Sequence, residues 1–169
     1  MDIVLASGSP RRKELLETLG LDFAVVPAKG EEIAPRGAGP AETVEALSRA
    51  KAEEVAKGFA NALIIAADTI VWHDGRGFGK PHSREQAAEM LRSLSGRAHE
   101  VYTGVVVIKN GREVSGAERS VVRFRELWED EIQRYIDPRE PMDKAGAYGA
   151  QGKAALVGRD QASLVFAMN

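Results

Sequence analysis

One apolar run, residues 62–67, constrains the fold of this 169-residue chain more than any other stretch. A nearly unbroken run of this kind is typical of a central strand that is covered on both faces. The run ends on Asp68 and Thr69, resumes over residues 70–72 and then meets a turn. Asp68 therefore lies between apolar residues, where an unpaired carboxylate is costly unless it meets a cation or a metal. We predict a functional role for Asp68.

The N-terminal residues predict a strand, a tight turn and a helix in close succession. Residues 3–5 are a short apolar run of strand type. Ser9 and Pro10 are a typical helix opening, because a hydroxyl cap precedes a proline at the first helical position. Apolar residues then recur at helical spacing as far as Leu19, and Gly20 is expected to end the helix.

Two arginines, Arg11 and Arg12, lie in the first turn of this predicted helix. The helix dipole disfavours positive charge there, by roughly 0.3–1 kcal/mol for each side chain, and a bound anion would offset that cost. Gly8 and the hydroxyls of Ser7 and Ser9 complete a site of the size of a phosphate. The alternative is two solvated arginines beside an ordinary helix cap.

A second strand is predicted at residues 23–26, followed by a polar loop over residues 27–40. The loop is rich in glycine and proline, which makes it the segment most expected to move. It holds two adjacent acids, Glu31 and Glu32. Such acids are usually solvated, and a metal-binding or general-base role is the alternative.

The second helix, predicted over residues 41–59, carries a lysine on its apolar side. Val44, Leu47 and Val55 form one stripe at helical spacing, and Lys51 falls inside that stripe. Either the lysine stem packs while its ammonium group reaches water, or the ammonium group points into a polar cleft.

A hairpin and a third helix are predicted next. Gly79-Lys80-Pro81 closes the hairpin, and Ser83 caps the helix with Gln86 as its partner in a capping box. Lys80 alone carries little information, since lysines beside glycine and proline are mostly exposed turn residues. The helix residues expected to face the core are Ala87, Met90, Leu91 and Leu94.

The last predicted elements are a long antiparallel hairpin, residues 101–108 and 113–124, and a short helix, residues 128–136. His99 has neither a triad partner nor a second histidine at metal-binding spacing, so we assign it a structural role. Residues 140–152 are dense in glycine and small side chains, which suggests close approach to a ligand. Gln151 in this segment could both donate and accept hydrogen bonds toward a nucleobase.

Composition narrows the function classes. With 44% hydrophobic residues the chain can bury one good core, so a single domain is expected. The absence of cysteine excludes disulfides, thiolate catalysis and cysteine-bound zinc. A net charge of -2 and the lack of a basic-aromatic stripe disfavour nucleic-acid binding through Arg11 and Arg12. The lack of a Gly-x-x-x-x-Gly-Lys-Ser/Thr motif argues against a P-loop kinase or GTPase.

Targeting signals are also missing from the sequence. The N-terminus carries Asp2, a short apolar run and a glycine turn, which is not the pattern of a secretory signal. No apolar run approaches the ~20 residues of a membrane span. We therefore predict a soluble cytoplasmic protein without a membrane partner.

Taken in order, the motifs closely resemble those of the Maf family, the septum-formation inhibitor-like proteins. Each motif alone is weak, but five in sequence over residues 2–152 make the resemblance specific. The motifs are Ser7-Gly8-Ser9-Pro10-Arg11-Arg12, Ala67-Asp68-Thr69, Gly79-Lys80-Pro81, Ser95-Gly96 with residues 99–104, and residues 140–152.

This resemblance implies a nucleoside triphosphate pyrophosphatase, a hydrolase that cuts between the α- and β-phosphates to give a monophosphate and pyrophosphate. It implies an α/β fold with a mixed twisted sheet, flanking helices and two lobes around a deep nucleotide-binding cleft, commonly as a homodimer. A divalent cation, Mg²⁺ or Mn²⁺, is the implied cofactor. The motifs resemble the branch that acts on dTTP and UTP rather than the branch that acts on 7-methyl-GTP.

The resemblance also implies roles for individual residues. Asp68 resembles the catalytic acid/base, and Glu32, alone or with Glu31, resembles a helper that binds the metal with it. The phosphate clamp is matched by Ser7, Arg12, Lys51 and Lys80, and the choice of base by Arg11, Thr69 and Gln151.

After Gly152 the sequence departs from the family pattern. Family members continue through a glycine-rich strand into a final helix, whereas this chain reaches Asn169 without an evident closing helix. We therefore expect one Maf-like domain over residues 1–169 with a short C-terminal end. A nucleotide-binding regulator of cell division that does not turn over its ligand is the alternative function.

Overall fold

Six strands and four α-helices occur in the part of the chain that the computed structural model describes, residues 2–137 and 140–149. Two short 3₁₀ helices, Glu140–Asp143 and Ala145–Ala147, follow the last α-helix. The strands are β1 (Ile3–Leu5), β2 (Ala24–Val25), β3 (Leu63–His73), β4 (Arg76–Phe78), β5 (Ala98–Lys109) and β6 (Arg112–Arg123). The α-helices are α1 (Pro10–Glu17), α2 (Pro40–Ala56), α3 (Arg84–Leu94) and α4 (Glu129–Ile136).

The strands form one mixed sheet with the order β2-β1-β3-β5-β6, and β4 pairs with β3 outside this path. β1 runs parallel to both β2 and β3, with Val4 opposite Ala24 on one side and Ile64 on the other. β4 runs antiparallel to β3, as the predicted hairpin requires. The predicted α/β class with a mixed sheet is therefore confirmed.

The chain divides into two compact units, and the first comprises Met1–Asp68 and Thr103–Glu118. Its core is built from small and β-branched residues, which let helix α2 pack close to the strands. The predicted apolar stripe of α2 is confirmed, because Val44, Leu47 and Val55 are all buried. The buried core residues of this unit are Val4, Ala6, Ala52, Val55, Ala62, Ile64, Ala66 and Val106.

The second unit comprises Thr69–Tyr102 and Arg119–Asn169 and has a core of its own. All four residues of α3 that were predicted to face the core are buried. His99 is also buried, and its Nε2 atom lies 2.7 Å from the hydroxyl of Tyr148. Phe124 packs edge-on against both rings, so His99 has the structural role that the sequence predicts.

β3 extends through the predicted apolar run and its continuation to His73, so Asp68 lies in the middle of the strand. Two other predictions are wrong in detail. Helix α1 ends at Glu17 and buries none of its residues, and both Leu15 in the helix and Leu19 after it are exposed. The expected capping box of α3 is shifted, because the Gln86 side chain accepts the amide of His82 rather than that of Ser83.

None of the helices in the described ranges has the length and apolar content that crossing a bilayer requires.

Candidate functional site

Lys51 joins two carboxylates in the first unit. The lysine lies three helical turns into α2, and its ammonium group contacts the carboxylate of Asp68 and lies 2.8 Å from Oε1 of Glu32. The Lys51 side chain is 16% exposed, so its ammonium group does not escape into bulk water. Snorkelling is therefore not the explanation of this lysine. The ammonium group of Lys51 instead lies between the carboxylates of Asp68 and Glu32, as expected for a lysine that points into a polar site.

Asp68 is buried in the middle of β3, where its side chain is only 10% exposed. Burial, aided by the nearby charge of Glu32, raises the pKa of Asp68 above its ordinary value. Lys51 and Arg12 oppose this rise because they favour the ionised carboxylate. The predicted cation partner of Asp68 is thus present, and it is supplied by the protein.

Arg12 connects the N-terminal turn to the strand that carries Asp68. Its Nη1 atom donates to the carbonyl oxygen of Ala67 at 2.8 Å and to Oγ of Ser7 at 3.1 Å. The same Ser7 oxygen accepts the amide of Ser9 at 3.3 Å. Burial lowers the pKa of the Arg12 guanidinium, with Asp68 opposing the effect. Arg12 therefore links the N-terminal turn, through Ser7, to the strand that carries Asp68, and the charges of Arg12 and Asp68 interact.

The start of α1 differs from the prediction in one respect. Ser9 occupies the N-cap position, but within the described structure its hydroxyl makes no capping hydrogen bond. The first turn of α1 also contains no acidic side chain, whereas Arg11 lies close enough to lower the pKa of Arg12. The helix dipole and both arginines thus place positive charge at this terminus, which is the property that an anion site requires.

The predicted polar loop occupies residues 27–39 and places its two acids differently. Glu31 is exposed, and Glu32 reaches Lys51 although its side chain remains 52% exposed. The loop is attached to α2 by a residue that sequence reasoning missed. Glu54 accepts the amides of Lys29 and Gly30, and nothing distinguishes it in sequence from its acidic neighbour Glu53.

The structure thus brings together Ser7, Arg12, Glu32, Lys51 and Asp68, all in the first unit.

Arg11 lies beside Arg12 in the first turn of α1, and two other predicted site residues belong to the second unit. Thr69 follows Asp68 in β3 and belongs to the second unit. Lys80 also belongs to the second unit, where it is exposed in the turn after β4. Gln151 lies outside the described residues.

The acids of the first unit have the chemistry of a hard-cation site. Among the described residues, no group of three or more histidine, aspartate or glutamate side chains is placed to hold a metal ion. Asp68 and Glu32 nevertheless converge on one ammonium group. Mg²⁺ is commonly held by one or two carboxylates together with substrate phosphates and water. The donor set therefore fits a metal that is shared with a phosphate ligand.

The fold belongs to a class of α/β proteins that includes a solved HAM1 protein from Coxiella burnetii. The two structures superpose with a TM-score of 0.51 over 92% of this chain and 90% of the other, at 19% sequence identity. A HAM1 protein from Staphylococcus aureus matches with a TM-score of 0.50 over 72% of this chain and 70% of its own, at 17% identity. At these identities the similarity concerns the fold.

The chain belongs to the Maf-like protein family, whose sequence pattern matches residues 2–163. The family match continues to residue 163, although the sequence was expected to depart from the family pattern after Gly152. A dTTP/UTP pyrophosphatase from Moorella thermoacetica is 51% identical over 92% of this chain and 81% of its own length. A protein of the same name from Bacillus anthracis is 46% identical over 91% of this chain and 81% of its own.

Proposed function

We propose that this protein is a nucleoside triphosphate pyrophosphatase that hydrolyses dTTP and UTP to the monophosphate and pyrophosphate. Family membership and relatives with this activity in their names, at about half identity over most of the chain, support the assignment. One observation in the molecule carries it, the contact of the Lys51 ammonium group with both Asp68 and Glu32. A buried acid with a cationic partner, beside a positive helix terminus, suits the hydrolysis of a polyphosphate.

In the proposed reaction a water molecule attacks the α-phosphorus. A bond forms between the water oxygen and that phosphorus, and the bond from the α-phosphorus to the bridging oxygen breaks, so that pyrophosphate leaves. Asp68 orients the water and accepts its proton. A pKa that burial raises suits this role, because a carboxylate of higher pKa is a stronger base.

Cationic groups of the protein hold the substrate during this step. Arg12 and Lys51 bind phosphate oxygens from the first unit, and we assign Lys80 to the same clamp. Ser7 contributes its hydroxyl and fixes the Arg12 guanidinium. Such groups act mainly by positioning the phosphates and by neutralising charge in the transition state. We assign the choice of base to Arg11, Thr69 and Gln151.

Asp68 and Glu32 are the residues that would hold a divalent cation, Mg²⁺ or Mn²⁺. When bound, such a cation neutralises charge on the phosphate oxygens. Lys51 already occupies the space between the two carboxylates through its ammonium group. With such a cation bound to the carboxylates, the Lys51 ammonium group would supply its positive charge to the substrate phosphates.

Substitution of Asp68 tests the assignment. The wild-type protein and Asp68→Asn are incubated with dTTP or UTP and Mg²⁺, and released pyrophosphate and bound nucleotide are measured separately. We expect Asp68→Asn to bind nucleotide but release no pyrophosphate. Asp22→Asn, a substitution of an exposed aspartate, serves as the matched control. Full activity of Asp68→Asn would refute the role of this residue, and nucleotide binding without turnover by the wild type would instead indicate a regulator.

A further inference from the structure

Glu54 fastens the loop of residues 27–39 to helix α2. Its Oε1 atom accepts the backbone amide of Lys29 at 2.7 Å, and its Oε2 atom accepts the amide of Gly30 at 2.9 Å. Both carboxylate oxygens are thus used on two successive peptide groups of the loop. An ionised carboxylate suits this arrangement, because it can only accept hydrogen bonds. These backbone hydrogen bonds hold the pKa of Glu54 below its ordinary value.

The attachment point lies close in sequence to the proposed site on both sides. On the helix, Glu54 follows Lys51 by one turn, and on the loop Gly30 precedes Glu32 by two residues. Helix α2 therefore contacts the loop at two nearby points, where Glu54 binds the amide of Gly30 and where Lys51 binds Glu32. Since the Glu32 side chain is half exposed, its contact with Lys51 alone would hold it weakly.

Gly30 shows how closely the carboxylate approaches the loop. A Cβ atom built on this glycine would lie 2.7 Å from Oε2 of Glu54. Any larger residue at position 30 must therefore displace the carboxylate, even though the end of a glutamate side chain moves easily. The loop thus carries its smallest residue at the point where the carboxylate approaches.

We propose that Glu54 is a positioning residue that anchors the loop of residues 27–39 and thereby keeps the Glu32 carboxylate beside Lys51 and Asp68. The functional part of this inference rests on the pyrophosphatase activity proposed above. Glu54 touches neither reacting atoms nor phosphate in this scheme. It acts through Glu32, by limiting the conformations that the loop can adopt.

The anchor is tested first without reference to activity. Amide hydrogen exchange is measured for Lys29 and Gly30 in the wild type, in Glu54→Gln and in Glu53→Gln. The glutamine amide keeps one acceptor but turns its NH₂ group toward the second backbone amide, so at least one of the two loop amides should exchange about tenfold faster. Glu53→Gln, the matched control on the adjacent exposed residue, should exchange like the wild type. Equal exchange in all three proteins would overturn the anchor.

The functional part is tested by a double-mutant cycle on pyrophosphate release. Glu54→Gln should lower kcat/KM by about tenfold, the smaller end of the losses seen when groups that orient metal-site carboxylates are removed. If Glu54 acts through Glu32, this loss should disappear when Glu32→Gln is already present. Glu53→Gln should leave kcat/KM unchanged. Equal losses in both backgrounds would show an effect on the helix alone and would overturn the positioning role.

Gly30→Ala supplies an independent variant, since it displaces the carboxylate while leaving Glu54 intact. It should reproduce both the faster exchange and the loss in kcat/KM, and wild-type behaviour in both measurements would contradict the proposal. The two experiments also separate two kinds of failure. Absence of pyrophosphatase activity in the wild type would refute the proposed function, whereas the exchange data report on the anchor in either case.

Discussion

Gly104 in β5 lies against the backbone of Val44 in α2 at a distance that leaves no room for a side chain. A Cβ atom on Gly104 would lie 2.6 Å from the carbonyl carbon and oxygen of Val44. The buried hydroxyl of Ser48 lies at the same place, 2.7 Å from the Val44 carbonyl oxygen and 3.0 Å from that of Gly104. This contact fixes the position of helix α2, which carries Lys51 one turn after Ser48.

Gly104→Ala should therefore destabilise the protein. The new methyl group meets backbone rather than a flexible side chain, so α2 must shift, and overpacking of this kind costs about 1–3 kcal/mol. Urea unfolding measures the loss. Gly116→Ala is the matched control, since a Cβ on this glycine of the neighbouring strand meets nothing within 4 Å. It should leave the unfolding free energy unchanged or raise it by up to about 1 kcal/mol. Equal stability of the two variants would contradict the close contact.

The burial of His99 predicts a pH dependence of stability. Burial, with a smaller contribution from the charge of His73, lowers the pKa of His99 from 6.5 to about 4. Between these two values the unfolded chain binds a proton that the folded chain does not. The unfolding free energy should therefore decrease as the pH falls through 6.5 toward 4 and then stop responding to this group.

Two substitutions isolate this effect. His99→Gln keeps a polar partner for Tyr148 but cannot titrate, so the slope of unfolding free energy against pH between 4 and 6.5 should become flatter. His82→Gln, at an exposed histidine, should keep the wild-type slope. Urea unfolding at half-unit pH intervals provides the measurement. An unchanged slope in His99→Gln would show that this histidine is not held neutral by the fold.

The N-cap of α3 predicts a smaller, local effect. The Ser83 hydroxyl accepts the amide of Gln86 at 3.1 Å, which satisfies one of the free amides of the first turn. Ser83→Ala should lower the unfolding free energy by about 1 kcal/mol, whereas Ser83→Gly should lower it by only a few tenths. Thermal or urea unfolding distinguishes the two values. The reverse order would show that the serine is not acting as a cap.

Local patterns in the sequence predict most of the elements, because their signals lie within a few residues. The predicted hairpin of residues 101–108 and 113–124 is an example, since Asn110 and Gly111 between its strands both adopt the positive φ that a tight turn requires. The buried stripe of α2 is another. The partner of a buried charge is less well predicted, because tertiary contacts decide it. Asp68 inside β3 meets a lysine from α2 that lies 17 positions away in sequence.

The sequence predicts which residue types form the site, but not which side chains contact each other. The residue types near Ser7, Lys51 and Asp68 indicate phosphate chemistry without a structure. Which groups meet depends on tertiary contacts, such as the hydrogen bond of Arg12 to the carbonyl oxygen of Ala67. Hydrogen bonds to backbone groups cannot be predicted from residue types, because every residue carries a backbone carbonyl and nearly every residue a backbone amide. Glu54 was missed for the same reason, since its partners are two backbone amides.

The pair of Lys51 and Asp68 leads to a last prediction that does not depend on catalysis. Lys51→Met removes the cation from between two carboxylates, one of them buried, and breaking a buried pair in this way costs about 3–5 kcal/mol of unfolding free energy.

Loss of Lys51 also removes a charge that lowers the pKa of Asp68, so the pKa of Asp68 should rise further above its unfolded value. Because a raised carboxyl pKa lowers stability as the pH rises through it, the loss should grow as the pH rises from acidic values to neutrality. Adding Asp68→Asn should restore much of the stability, and Lys57→Met, at an exposed position after α2, should change it by less than about 0.5 kcal/mol. Urea unfolding in the presence of a chelator measures the unfolding free energy of the wild type, Lys51→Met, Lys51→Met with Asp68→Asn, and Lys57→Met. A loss that does not depend on pH and that Asp68→Asn does not relieve would show that Lys51 and Asp68 are not energetically coupled.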